Sequence, residues 1–226
     1  MKRILFLVLV AGLMALMAAP AFGQIPGSKA AASVSTVALI DATDGTQSWD
    51  LILSNVIHTP EKKDLLIGVS LETGLYTRTQ VKSGGGTKDT SNSTAGIQIK
   101  VLVDGVEAAP GVVTYDKRSQ TLSATLGGYF TNCTDANGDG ITDVMTECDL
   151  LPEEIELILD TMAAHHFNFV VADLNSGDHS IEVYAEIKTG ASFQSGFASA
   201  LATIGKGSLT VEEIRDVNGE GGIVIE

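Results

Sequence analysis

Residues 180–188 read SIEVYAEIK. Ile181, Val183, Ala185 and Ile187 fall on alternate positions, with Glu182, Tyr184, Glu186 and Lys188 between them. Successive side chains of a strand point to opposite faces, so this stretch has one apolar and one solvated face. Residues 97–103 (IQIKVLV) repeat the pattern with Ile97, Ile99, Val101 and Val103, and 121–126 (TLSATL) with Leu122, Ala124 and Leu126. Residues 47–57, 64–71, 75–81, 111–115, 167–174, 198–204 and 208–217 read as further strands. One-sided alternation is what antiparallel sheets with a wet outer face produce. Asp104-Gly105 is a tight-turn signal, and Asn175-Ser176-Gly177-Asp178 reads as a short hairpin connection. The expectation is an all-β, antiparallel β-sandwich, immunoglobulin-like or jelly-roll-like, with about nine to eleven strands.

Two segments depart from the alternation. In 152–165 (PEEIELILDTMAAH) Ile155, Ile158, Leu159 and Met162 recur at helical spacing. Pro152 suits a first helical position, and Glu153 and Glu154 complement the positive end of a helix dipole. The spacing predicts one helix over 152–165, with His165 and His166 at its C-terminal end. Residues 83–96 (SGGGTKDTSNSTAG) are small, polar and glycine-rich, which predicts a long mobile loop. Trp49, in SWDLILS, alternates with Leu51 and Leu53 and reads as a sandwich-core residue, with a sugar-stacking role as the alternative.

The chain opens MKRILFLVLVAGLMALMAAPAFGQ. A short basic start, an uncharged apolar run and small residues at the end describe a secretory signal peptide over 1–23, cut after Ala21 or Gly23. No later stretch is apolar for long enough to span a bilayer. The expectation is an exported chain: one domain over 24–226 carrying an insertion at 127–166, destined for the extracellular space, cell surface or periplasm. The 226 residues carry a formal net charge of −14. Such a surface repels nucleic acid, because it lacks the basic residues that neutralise phosphates, and it favours divalent cations. Aromatic residues make up 5% of the chain, which is thin for a glycan-stacking platform.

The chain has two cysteines, Cys133 and Cys148, and no Cys-x-x-Cys. In an exported protein they pair most simply as one disulfide, closing about 15 residues for about 3 kcal/mol. Between them runs TDANGDGITDVMTE. Asp135, Asn137, Asp139 and Asp143 stand at positions 1, 3, 5 and 9 of a loop, with Gly140 at the sharp sixth position. The Ile141 carbonyl is available at the seventh. This spacing wraps a hard cation in oxygen. Position 12 is Thr146 rather than a bidentate acid, so Glu147, one residue late, is the candidate to close the site. The readings are a structural calcium site, a solvated acidic turn held by the disulfide alone, or a site where calcium touches a ligand.

Residues 135–143 thus resemble the calcium loops of thrombospondin type 3 repeats, dockerins and EF-hands; the resemblance implies bound Ca2+. Leu174-Asn175-Ser176-Gly177-Asp178-His179-Ser180-Ile181-Glu182-Val183 resembles the corner leading into a late strand of immunoglobulin-like sandwiches, with His179 where a tyrosine usually bonds back to the backbone. The run 64–104 is similar to exported bacterial proteins, a likeness that adds no chemistry.

No G-x-S-x-G, H-E-x-x-H or phosphate loop occurs. Gln194-Ser195-Gly196 has no nucleophile-elbow context. The leading expectation is a non-catalytic, calcium-stabilised sandwich with a structural or binding role outside the cell. A calcium-dependent carbohydrate-binding module is second. A surface-fibre subunit that donates strand 208–217 to a neighbour is third. Glycans, other surface proteins and further copies of the chain are the partner classes these readings carry.

Overall fold

The computed structural model describes residues 30–35, 48–60 and 63–214. The leader at 1–23, residue 47 of the first expected strand and residues 215–217 of the last lie outside them. The described residues form eleven strands and no helix: β1 (Ala30–Ser35), β2 (Asp50–Thr59), β3 (Lys63–Ser83), β4 (Lys88–Val103), β5 (Val106–Glu107), β6 (Val113–Thr125), β7 (Tyr129–Thr131), β8 (Asp149–Leu151), β9 (Glu153–Leu174), β10 (Gly177–Phe193) and β11 (Phe197–Ile214). All pairings are antiparallel. One sheet has the order β1-β11-β3-β9. The second runs β2-β10-β4, with β5 and β6 both pairing β4. β7 and β8 form a separate ribbon.

The two large sheets enclose one apolar core. Alternate residues of β3 (Leu65, Ile67, Val69, Leu71), β4 (Ile97, Ile99, Val101, Val103), β10 (Ile181, Val183, Ala185, Ile187) and β11 (Ile204, Leu209, Val211) are almost wholly buried, together with Phe169 of β9. Asp104 and Gly105, both with positive φ, make the expected tight turn between β4 and β5. Asn175–Gly177 is not a hairpin: it carries the chain from β9 in the first sheet to β10 in the second.

Several expected strands fuse. Residues 64–71 and 75–81 are one continuous strand, β3, and the expected strands 111–115 and 121–126 fuse into β6, which begins at Val113 and ends at Thr125. Residues 198–204 and 208–214 are both β11, with the register shifting between Ile204 and Gly207 where Lys206 N–H reaches the Glu72 carboxylate.

The loop expected over 83–96 is corrected. Only a turn at Gly84–Thr87 remains, and β4 begins at Lys88. Its first half keeps strict alternation with polar residues turned inward: Asp89, Ser91 and Ser93 are buried, followed by Ala95. Their hydroxyls are satisfied by β11, Ser91 Oγ donating to Phe197 O and Ser93 Oγ to Ser199 O. Opposite them β3 buries Thr73, Thr77 and Thr79, and β6 buries Gln120. The interior is therefore apolar at one end and laced with hydrogen bonds at the other.

The helix expected over 152–165 is also corrected. Pro152 precedes β9, and 153–165 pairs residue by residue with β3 from Ser83 to Leu71. The apolar positions serve a strand as well as a helix: Ile155, Leu157 and Leu159 share the inner face, while Ile158 and Met162 take the outer one. Local composition favours a helix, but pairing along β3 overrides a preference worth only tenths of a kcal/mol per residue. The excursion from the sandwich consequently shrinks from 127–166 to the ribbon and its loop.

Edges β6 and β9 face each other across an open side of the sandwich, and β6 ties it shut. Tyr115 Oη donates to His165 O and accepts from Leu71 N at 2.8 Å. Arg118 bonds Leu75 O and Thr161 Oγ1. Gln120 reaches Thr77, Thr79 and Leu157 O. Burial pushes the Tyr115 hydroxyl up to about 12, the Leu71 N–H partly offsets it and neighbouring Asp116 adds to it. Tyr115→Phe strands a buried N–H, so urea unfolding is expected to show a loss of about 1–3 kcal/mol.

Candidate functional site

The disulfide-bracketed loop grows from the β7–β8 ribbon, whose register sets Tyr129 opposite Leu151 and Thr131 opposite Asp149. Asn132 turns the chain with φ 49°. Cys133 and Cys148 are joined, their Cα atoms 4.1 Å apart. Thr134 N donates to Glu147 O at 3.0 Å just inside the bridge. The loop ends are therefore held together twice.

Within the loop each acidic side chain caps backbone N–H groups. Asp135 Oδ1 accepts from Gly138 N at 2.7 Å and Oδ2 from Gly140 N at 2.8 Å. Asn137 Oδ1 accepts from Asp139 N, Asp139 Oδ1 from Ile141 N, and Asp143 Oδ1 from Met145 N. Gly138 and Gly140 supply the left-handed φ values, 74° and 82°, that these tight turns require. Glu147 reaches furthest: Oε1 accepts from Ala136 N at 3.0 Å and Asn137 N at 3.1 Å, and Oε2 from Asp143 N at 2.8 Å. It thereby joins the two sides of the loop mouth. Asp135 and Glu147 are half-buried at the centre, whereas Asn137, Asp139, Ile141 and Asp143 are exposed.

Asp135 and Glu147 thus meet the same short stretch of backbone, and Asp143 joins them through its N–H. Asn137 and Asp139 each hold their own turn. Among the described residues no group of three or more His, Cys, Asp or Glu side chains is placed to hold a metal ion. The donor set itself is all oxygen, the preference of a hard cation. A carboxylate oxygen that accepts one N–H still has a second lone pair.

A second polar cluster lies at the corner between the sheets. His179 is buried. Its Nδ1 meets Asp104 Oδ2 at 2.6 Å, and its Nε2 faces Asn175 O at 2.9 Å and Thr59 Oγ1 at 3.0 Å. Asp104 Oδ1 also accepts from Ser180 N at 2.9 Å. Four segments, the ends of β2, β4 and β9 and the start of β10, converge on one imidazole. Sequence reading placed His179 at the corner but missed Asp104 and Thr59, which lie far off in sequence; the Asp104-Gly105 turn was the available signal.

The hydrogen bond to Asp104 raises the His179 pKa above its ordinary 6.5; burial opposes this and the Asn175 carbonyl reinforces it. The same bond lowers that of Asp104 below 3.8 against its own desolvation. A raised histidine stabilises fully below its unfolded value of about 6.5 and ceases to as pH rises through its folded value. Asp104 contributes above about 3.8 and ceases to as pH falls through its lowered value. Unfolding measured against pH is expected to lose stability on the alkaline side above pH ~6.5. His179→Gln should remove that decline; an unchanged profile in the variant would contradict the assignment.

Trp49 is half-buried rather than part of the core. Lys100 Nζ lies 4.5 Å from its ring centroid and 5.8 Å from that of Tyr184, on the outer face of the second sheet.

No protein-family model matches the chain, and no curated protein matches it. Among solved structures the chain is similar to a CocE/NonD family hydrolase from Staphylococcus aureus, at 13% identity over 85% of this chain and 38% of that one, with a TM-score of 0.24. It is similar to a structure of infectious bursal disease virus, Gx strain, at 13% identity over 86% and 44%, TM-score 0.16. The VP2 subviral particle of that virus gives 13% identity over 86% and 46%, TM-score 0.18. The chain spans less than half the length of each of these chains, and likenesses this slight carry no argument about fold or activity.

Proposed function

We propose that the chain is an exported, non-catalytic β-sandwich with a structural or binding role outside the cell, and that calcium stabilises its disulfide-bracketed loop. The observation that supports the calcium reading is the placement of Glu147. It answers the missing position-12 acid by folding back across the loop mouth to the backbone beside Asp135 and at Asp143. Asp135, Asn137, Asp139, the Ile141 carbonyl, Asp143 and Glu147 would hold the ion. A bound cation would offset the mutual repulsion of four carboxylates between residues 135 and 147. Export rests on the leader, and the disulfide suits an oxidising compartment.

Ligand linkage predicts a melting temperature higher in calcium than in chelator. Glu147→Gln should shrink the difference; because its amide NH2 cannot accept from the loop N–H groups that one carboxylate oxygen now serves, it should also lower the melting temperature in chelator. Equal melting in both conditions would return the loop to a solvated acidic turn.

A carbohydrate-binding reading rests on the half-buried Trp49–Lys100–Tyr184 cluster on the outer face of the second sheet. Glycan retention lost in Trp49→Ala would support it, and silence on a glycan array with and without calcium would dismiss it. The fibre reading would require residues 208–214 to leave the first sheet, where they pair with β1 on one side and β3 on the other; a monomer at high concentration with this strand protected from hydrogen exchange would dismiss it.

A further inference from the structure

β9 is an edge strand of 22 residues. Among the described residues its backbone pairs β3 on one side and, on the other, only Ala109 at Val170, through bonds of 2.9 and 3.0 Å. Antiparallel backbones alternate direction, so the N–H and C=O of Val170 and of every even residue back to Glu154 point away from β3. No register shift interrupts 153–170. From Glu153 to Met162 every residue is exposed, including Ile155, Leu157, Ile158, Leu159 and Met162. Edge strands are ordinarily protected by proline, bulges or inward-pointing charge. Glu153 points inward at the start of the strand, where it accepts from Gly128 N, but from Glu154 to Met162 there is none of these: the charges stand on the outer face, and Glu154 and Glu156 are already paired with Lys82 and Arg78 of β3.

We propose that this edge pairs antiparallel with the same edge of a second copy, about a two-fold axis at Thr161, joining two four-stranded sheets into one of eight. The free stretch ends at Pro152, which has no N–H to offer, and at Val170, which Ala109 already occupies. Thr161 is midway between them. That axis sets Glu156 opposite His166 of the second copy and Glu154 opposite Asn168, each twice by symmetry. It sets Ile158 opposite Ala164, Asp160 opposite Met162, and on the inner face Ile155 opposite Phe167 and Leu159 opposite Ala163. Axes at Leu157, Ile158 or Asp160 set carboxylate against carboxylate, which is unfavourable. An axis at Leu159 leaves the edge beyond His165 unpaired and matches a carboxylate with a histidine only at its two ends, Glu153 opposite His165. The contact is isologous and closes on itself, so it yields dimers rather than fibres.

The full, disulfide-intact chain tests this by sedimentation and by cross-linking. Wild type is expected to sediment as a dimer. Asp160→Pro removes an N–H that points away from β3 and should raise the dimer dissociation constant about 100-fold with the monomer still folded. A threonine facing its own copy at a non-hydrogen-bonded position has Cα atoms about 4.5 Å apart, within disulfide reach. The described residues hold no free cysteine. Thr161→Cys should therefore cross-link copies under mild oxidation, and Leu157→Cys, which faces His165, should not. A monomeric wild type at high concentration overturns the proposal. So does a dimer that survives Asp160→Pro, or one that Leu157→Cys cross-links as readily as Thr161→Cys.

Discussion

Gly196→Ala is expected to destabilise the sandwich by about 2–4 kcal/mol, although the residue sits in an exposed-looking Gln-Ser-Gly turn. A β-carbon there would lie 1.8 Å from Gln80 O, 2.6 Å from Gln80 C and 3.0 Å from Val81 Cα. Those atoms are the backbone of β3, which is paired on both sides by β9 and β11 and cannot step aside without disturbing the first sheet. The triplet Gln194-Ser195-Gly196 is thereby explained by packing. The turn lies directly on β3, with Ser195 Oγ donating to Lys82 O at 2.9 Å and Ser195 N to Asp89 Oδ1 at 3.2 Å. Urea unfolding checks the expectation; a variant within about 0.5 kcal/mol of wild type, as at an ordinary surface position, would contradict it.

Asp89→Ala is expected to cost a comparable amount, about 2–4 kcal/mol. Its buried carboxylate accepts from Lys82 N at 2.7 Å, Thr90 N at 2.9 Å and Ser195 N at 3.2 Å, binding β3, β4 and the β10–β11 turn together. Alanine leaves those donors without their acceptor. Desolvation raises the Asp89 pKa, but the bonds from Lys82, Ser195 and Thr90 outweigh it and hold the group below 3.8. The contribution is therefore present above pH ~3.8 and disappears as pH falls through the lowered value. Acid unfolding of wild type should include this loss, and Asp89→Asn should show less of it. Ser195 contacts both this carboxylate and β3, so Gly196→Ala and Asp89→Ala should combine less than additively.

The strands that sequence shows best are those with apolar inner faces. Ile97–Val103 and Ile181–Ile187 alternate in hydropathy, and both lie where predicted. The start of β4 was illegible because Asp89, Ser91 and Ser93 alternate in burial while all being polar; the serines' acceptors, Phe197 O and Ser199 O, are far off in sequence on β11, and Asp89 accepts from the backbone of β3 and of the β10–β11 turn. β9 misled for the opposite reason: with Ile155, Leu157, Ile158 and Leu159 apolar on both faces, periods of 2.0 and 3.6 both fit, and only β3 decides between them. At the loop, Asp135, Asn137, Asp139 and the bracketing cysteines could be read from spacing alone. Whether Glu147 turned inward depended on backbone geometry. Asp104 and Thr59 meet His179 through topology, which no local pattern encodes.

The claim on which the functional account rests is that the loop from Asp135 to Glu147 takes up calcium. Calorimetric titration of calcium into the chelator-treated, disulfide-intact chain tests it most directly. The account predicts saturable binding of one ion per chain, abolished by Asp135→Asn with Glu147→Gln and weakened when Cys133 and Cys148 are both replaced by serine. A titration with no saturable heat, or one indifferent to those substitutions, would contradict it.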